Sequence, residues 1–257
     1  MSSEFVVTSL ESRILTIRLN RADKKNALTS AMYTALRVAL EEAAANAEVR
    51  VVLFTGSDGV FCSGNDLQDF LELAGDIQET PVARFLRTLS VFPKPVVAAV
   101  EGPAIGIGTT LLLHCDLVYA ARGARLQLPF ASLGLCPEFA SSYLLPRILG
   151  HVRAAELLML GDPFTAEKAL EYGLVNEVLE PAELAARALS QAQRLATQAP
   201  EALRTTKMLM KRFNGESLRE SIHVEMGHFG ELLKGEELKE AVSAFRAKRK
   251  PDFSRFD

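Results

Sequence analysis

The chain has 257 residues, 48% hydrophobic and 24% charged, with a net charge of −3. A chain this long buries most of the surface its unfolded form exposes and needs no staple, and its acidic balance excludes a general nucleic-acid binder, which carries a basic excess. The three cysteines, Cys62, Cys115 and Cys136, are too few for a disulfide framework and lack metal-ligand spacing, so they read as small buried hydrophobes.

Residues 5–9 and 14–20 read as strands joined by a polar turn at Glu11 and Ser12. In the second, Ile14, Thr16 and Arg18 alternate with Leu15, Ile17 and Leu19, as in a sheet with one face covered. Thr29 or Ser30 is the expected N-cap of a helix in which Met32, Leu36, Ala39, Leu40 and Ala43 recur at helical spacing. A β-branched run at 51–55, ended by Gly56, reads as a buried strand. Helices are expected after Ser63-Gly64-Asn65 and over 81–92, then a second buried strand at 95–100. Residues 106–114 read as a helix opening from a tight turn, and 117–121 and 125–128 as short strands. The 138–149 segment is expected to be helical, with Pro146 breaking or kinking it. Helices dominate from Val152 onward, around a short strand at 174–179.

This alternation predicts an α/β core with parallel strands over 1–180. The all-helical 181–257 region is expected to cap the core or mediate assembly. No apolar run reaches the ~20 residues of a membrane span. The N-terminus lacks a secretory pattern, and Ser254-Arg255-Phe256-Asp257 is not a Ser-Lys-Leu type address. A cytoplasmic location without membrane contact is the expectation.

Four segments carry candidate chemistry. Phe61-Cys62-Ser63-Gly64-Asn65-Asp66-Leu67 and Glu101-Gly102-Pro103-Ala104-Ile105-Gly106-Ile107-Gly108 are both strand-to-helix turns. Each exposes main-chain N–H groups at a helix start, and two side by side would form an oxyanion hole. Taken singly, the glycines equally well serve only to allow tight turns. They match neither G-x-G-x-x-G nor a P-loop. In the third segment Glu138 follows Pro137 among apolar neighbours. Burial there would raise its pKa and a helix dipole would lower it, so it reads either as a general base for a carbon acid or as an acid satisfying the dipole. The fourth is the tail from Ala244 and Phe245 through Lys248 to Phe253, which has four basic residues. That tail, like the basic loop from Asn20 to Leu28, reads as phosphate contacts or as a solvated face. His114 beside Cys115 reads as a satisfied buried histidine, and no histidine pair has metal-binding spacing, so no metal is expected.

In order and spacing these segments resemble the crotonase, or enoyl-CoA hydratase/isomerase, superfamily from about Phe5 to Phe253. The resemblance includes Gly161-Asp162-Pro163-Phe164-Thr165-Ala166-Glu167-Lys168-Ala169 and Tyr172-Gly173-Leu174-Val175. It implies a crotonase-like spiral of ββα units with a C-terminal helical region, assembled as a homotrimer or a dimer of trimers. An acyl-CoA thioester would bind with its carbonyl between the N–H groups of Asn65 and Ile107, with no cofactor beyond the coenzyme A of the substrate. Hydratases of the family use two glutamates, and Thr110 and Phe130 stand at those positions here. The run Pro137-Glu138-Phe139-Ala140-Ser141-Ser142-Tyr143 resembles instead the peroxisomal type of Δ3,Δ2-enoyl-CoA isomerase, whose base is a Glu after Pro. The resemblance also implies substrate contacts from Lys24, Lys25, Ala27, Leu28, Ser63, Gly64, Asp66, Leu67, Gly106, Gly108, Phe245 and Lys248. It leaves the acyl pocket to the 68–81 loop and the terminal helices.

Overall fold

The computed structural model describes residues 4–71, 75–212 and 215–256; residues 72–74 of the expected pocket loop lie outside them. Strands β1 (Val6–Glu11) and β2 (Ile14–Leu19) form an antiparallel hairpin. Helix α1 (Ser30–Ala45) leads to β3 (Val51–Thr55), and α2 (Leu67–Leu71) and α3 (Pro81–Ser90) lead to β4 (Val96–Val100). There follow β5 (Pro103–Ile105), α4 (Ile107–Thr110), β6 (Leu117–Ala121), β7 (Arg125–Gln127), α5 (Ser141–Leu149) and α6 (His151–Ala155). Next come β8 (Phe164–Thr165), α7 (Ala166–Glu171) and β9 (Glu177–Leu179). The chain ends in α8 (Pro181–Thr197), α9 (Pro200–Lys211), α10 (Gly215–Leu232) and α11 (Glu236–Arg246). The main sheet runs β1-β2-β3-β4-β6-β9 and is parallel from β2 onward, while β5, β7 and β8 form a smaller sheet.

Alternation along the strands divides the apolar side chains between two cores. Val52, Phe54, Val96, Ala98 and Val100 face α1 and α3 in the larger one. Val51, Leu53, Val97 and Ala99 face Leu184, Ala188 and Ala192 of α8 on the other side. The expectation of one covered face understated the sheet, because α8 covers the second. The first helix of the 181–257 region is thus part of the core, and α10 packs on α3 and α5.

Local signals place the helix starts. Met32 N–H donates to the Thr29 side chain at 3.3 Å, and Ala83 N–H does the same to Thr80, with Pro81 opening α3. Two expectations need correction. The helix expected from Glu138 begins at Ser141, because Phe139 and Ala140 are left-handed at φ 59° and 56°. Pro146 does not end it. It is the sixth residue of α5, where its missing N–H costs one hydrogen bond of the ladder, and the helix nevertheless continues to Leu149.

Candidate active site

The two glycine turns lie backbone against backbone. Cys62 N–H donates to Pro103 O at 3.0 Å and Ile105 N–H to Cys62 O at 2.9 Å. A Cβ on Gly108 would sit 2.6 Å from Cys62 O, so only glycine allows this approach. On its other side the Ser63 turn pairs with the basic loop: Leu28 N–H donates to Gly64 O at 2.9 Å, and Asp66 N–H to Leu28 O at 2.8 Å. In a parallel bridge of this kind the flanking groups pair, leaving the N–H of Asn65 itself directed away from Leu28. Ile107 is the first residue of α4, where an N–H has no acceptor within the helix.

Side chains brace this frame. The Tyr33 hydroxyl, buried in α1, donates to Asn65 Oδ1 at 2.5 Å. Asn26, fully buried, donates to Val60 O at 2.7 Å and accepts from Arg21 N–H at 2.8 Å. Ser63 donates from its N–H to Lys25 O at 3.1 Å and from its hydroxyl to Lys24 O at 3.3 Å. The main chain of Lys24 and Lys25 is thereby held beside the amide turn, with both side chains exposed.

Glu138 is 4% exposed and stands beside α4, where the Thr110 hydroxyl donates to its Oε1 at 2.5 Å. Burial pushes its carboxyl up to about 8; the Thr110 hydrogen bond opposes this and the charge of Glu225 adds to it. The turn that carries it is strained at Phe139 and Ala140, at about 1–3 kcal/mol each. Three side chains over-determine that turn. His114 Nε2 lies 2.8 Å from Phe139 O, and its ring stacks on Phe139 with centroids 3.7 Å apart. Burial lowers the His114 pKa to about 3, so the ring is neutral and donates through Nε2–H. Glu225, from α10, accepts from Ala140 N–H at 2.5 Å, from Ser142 N–H at 3.0 Å and from the Ser142 hydroxyl. Phe139 in turn packs toward Phe85, which packs toward Tyr33, so one aromatic chain joins the two halves of the site.

The structure therefore brings together Asn65, Ile107, Thr110, Glu138, Ser63, Gly64, Gly106, Gly108, Leu28 and the Lys24–Lys25 loop. Phe130 is buried and supplies an apolar side chain rather than a second acid. Asp66 is committed within the protein: it pairs with Arg21 at 2.7 Å and accepts from Gln68 and Asp69 N–H at the start of α2. Burial raises its carboxyl, but these bonds outweigh burial and hold it below the ordinary value. Phe245, 69% exposed, and Lys248 lie at the end of α11, and no contact among the described residues joins them to the Glu138 turn. Asp76 caps the turn at Ile77–Glu79, and Glu79 pairs with Arg84 at the surface. Sequence reasoning gave no role to Tyr33, Asn26 or Glu225. Glu225 carried a visible signal, since it falls on the apolar stripe of Leu218, Ile222, Met226 and Phe229.

No cluster of three potential metal-binding side chains occurs among the described residues, and no described helix is long and apolar enough to cross a membrane. The geometry sets the Ser63-Gly64-Asn65 turn against the start of α4, and the end of α4 against the buried Glu138. Residues 9–255 match the family model described as enoyl-CoA hydratase/isomerase, and the chain belongs to that family. It is 34% identical to the 1,2-epoxyphenylacetyl-CoA isomerase of Escherichia coli K12, covering 98% of both chains. It is 36% identical to enoyl-CoA delta isomerase 2 of Rattus norvegicus over 84% of this chain and 56% of that one. The solved structure of Pseudomonas aeruginosa OdaA superposes with a TM-score of 0.92 at 53% identity, covering 95% of this chain and 99% of that one. The fold is the crotonase fold, with the additional helices at the C-terminus.

Proposed function

We propose that this hydratase/isomerase-family enzyme is a Δ3,Δ2-enoyl-CoA isomerase with Glu138 as its single base. The observation that carries the reading is the buried carboxyl of Glu138, bound to Thr110, with Phe130 where a second acid would be needed to orient water. The thioester oxygen accepts from the N–H groups of Asn65 and Ile107. Glu138 takes a proton from the alpha-carbon, the C–H electron pair enters a dienolate, and the two amides stabilise the charge on oxygen. The same carboxyl returns that proton to the gamma-carbon, and the C3=C4 bond becomes C2=C3. Each fixed amide donor is worth about 3 kcal/mol in such a step. A carboxyl raised to about 8 is a stronger base than an ordinary carboxylate, which favours removal of the alpha-proton near neutral pH.

Lys24 and Lys25 are placed to meet the phosphates of coenzyme A. Apolar side chains exposed at Ile148, Val152, Met159 and Leu160 support assembly into a trimer or a dimer of trimers. The chemistry needs no further cofactor. Isomerisation of a ring-derived CoA ester is the second reading, supported by the E. coli relative that spans the whole chain. Assays with a 3-enoyl-CoA, a 2-enoyl-CoA and a ring-derived CoA ester separate the two. Isomerisation of the 3-enoyl-CoA should dominate, and Glu138→Gln should lower it by about 10³-fold. Dominant water addition, or full turnover by Glu138→Gln, would overturn the reading.

A further inference from the structure

Glu225 is the second carboxyl of this region, and the isomerase chemistry does not use it. It is 6% exposed, on a helix remote in sequence, and three donors of the Glu138 turn converge on it: the N–H groups of Ala140 and Ser142 and the Ser142 hydroxyl. These are the amides at the start of α5, where a helix N-terminus presents its positive end. Without Glu225 the nearest acid to them in the chain is Glu138 itself, whose own carbonyl is already drawn in by Ser141 N–H at 3.1 Å and the Ser141 hydroxyl at 2.6 Å. We propose that Glu225 is the positioning residue of this site: bound to the Ala140 and Ser142 amides, it fixes the turn that aims Glu138 and occupies the helix N-terminus in place of Glu138. The proposal rests on the reading of Glu138 as the base and adds a role for a residue that never touches substrate.

The donor sets divide the roles of the two acids. Glu225 accepts three hydrogen bonds and Glu138 one, so Glu225 is the group held as the anion and Glu138 the group left free to exchange a proton. Burial raises the Glu225 carboxyl above its ordinary value against the opposing pull of its three donors, so its assignment as the anion rests on the donor set. The other titratable groups facing the pair are neutral across the working range. Burial holds Tyr33 well above its usual range, Cys62 at about 12 and Cys136 at about 11, and it holds His114 at about 3. Glu225 is therefore the fixed charge against which Glu138 titrates.

The test reads Glu138 directly. In substrate-free enzyme the infrared band of the protonated carboxyl is followed against pH, and subtracting the Glu138→Gln spectrum isolates Glu138. The midpoint should fall by about one pH unit in Glu225→Gln, which removes the charge, and stay near the wild-type value in Glu225→Asp, which keeps it. The acid limb of kcat/KM should move with the infrared midpoint, and kcat should fall in both variants because the turn loosens. A purely structural Glu225 would lower kcat and thermal stability without moving either midpoint, and that result overturns the proposal. Should Glu225→Gln fail to fold, the Glu138→Gln protein still decides. It must show no buried protonated carboxyl at pH 7; a band there sensitive to Glu225→Asp means Glu225 is not the anion. If wild-type enzyme turns over no acyl-CoA, the proposed function fails while the infrared result still judges Glu225.

Discussion

The two turns that meet at this site are held by opposite means. The turn through Ser63, Gly64 and Asn65 is fixed chiefly by main chain against main chain, with the Tyr33 and Ser63 hydroxyls bracing it and Gly108 permitting an approach no other residue could make. The turn through Glu138, Phe139 and Ala140 contains no glycine, although two of its residues are left-handed. It is held by side chains 25, 28 and 85 residues away along the chain: His114, Thr110 and Glu225. The difference follows from what each turn supplies. An amide donor is positioned once its backbone is positioned, whereas a carboxylate must also be aimed, and aiming requires partners for the side chain.

The comparison is broken most severely at Gly108. In Gly108→Ala the new methyl meets Cys62 O at 2.6 Å and Cys62 Cβ at 3.0 Å, and neither can yield without moving the Ser63 turn. We expect a stability loss of about 1–3 kcal/mol from overpacking and a further ~100-fold fall in kcat as one oxyanion donor is displaced. Chemical denaturation and steady-state kinetics measure the two separately. A variant with wild-type values in both would show that the backbone contact constrains nothing.

The next effect concerns the cost of keeping Glu138 buried. Its folded-state pKa of about 8 lies above the ordinary 4.5, so its contribution to stability is fully present below about pH 4.5 and is lost as pH rises through about 8. Glu138→Gln removes that loss while keeping an oxygen for the Thr110 hydroxyl. The variant should match wild type near pH 4.5 and exceed it at pH 9 by on the order of 5 kcal/mol, read from denaturation midpoints across the range. An inactive variant that gains nothing at high pH would place Glu138 in a wetter environment than the one described.

How much of this was legible in the sequence divides along the same line. The parallel α/β core followed from β-branched runs at Val51 and Val96 alternating with helical spacing, and both glycine turns stood where their strands end. Those signals are local, since a tight turn writes its own residues. The single acid was legible as Pro137-Glu138, but its true surroundings were not. Phe139 and Ala140 carry no sign of left-handed geometry, so the helix was expected three residues too early. The groups that compensate the strain sit on α4, on the segment after it and on α10, and only folding brings them together. Thr110 was readable merely as a missing glutamate, whereas the structure makes it the donor that holds the remaining one.

Thr110 also supplies the smallest and most discriminating prediction. Its hydroxyl donates to the Glu138 carboxylate, so it favours the charged form and opposes the effect of burial. Thr110→Val keeps the shape and deletes the donor. The acid limb of kcat/KM should therefore move to higher pH, and activity at pH 7 should fall about 10–100-fold, the scale of one hydrogen bond to a charged group. Glu225→Gln is expected to move the same limb to lower pH. Shifts of opposite sign from two uncharged replacements around one carboxyl cannot arise from a general loosening of the site, which would move both alike. If Thr110→Val shifts the limb downward or leaves it in place, the short contact with Glu138 does not hold the catalytic proton's acceptor in its charged form, and Thr110 acts as packing alone.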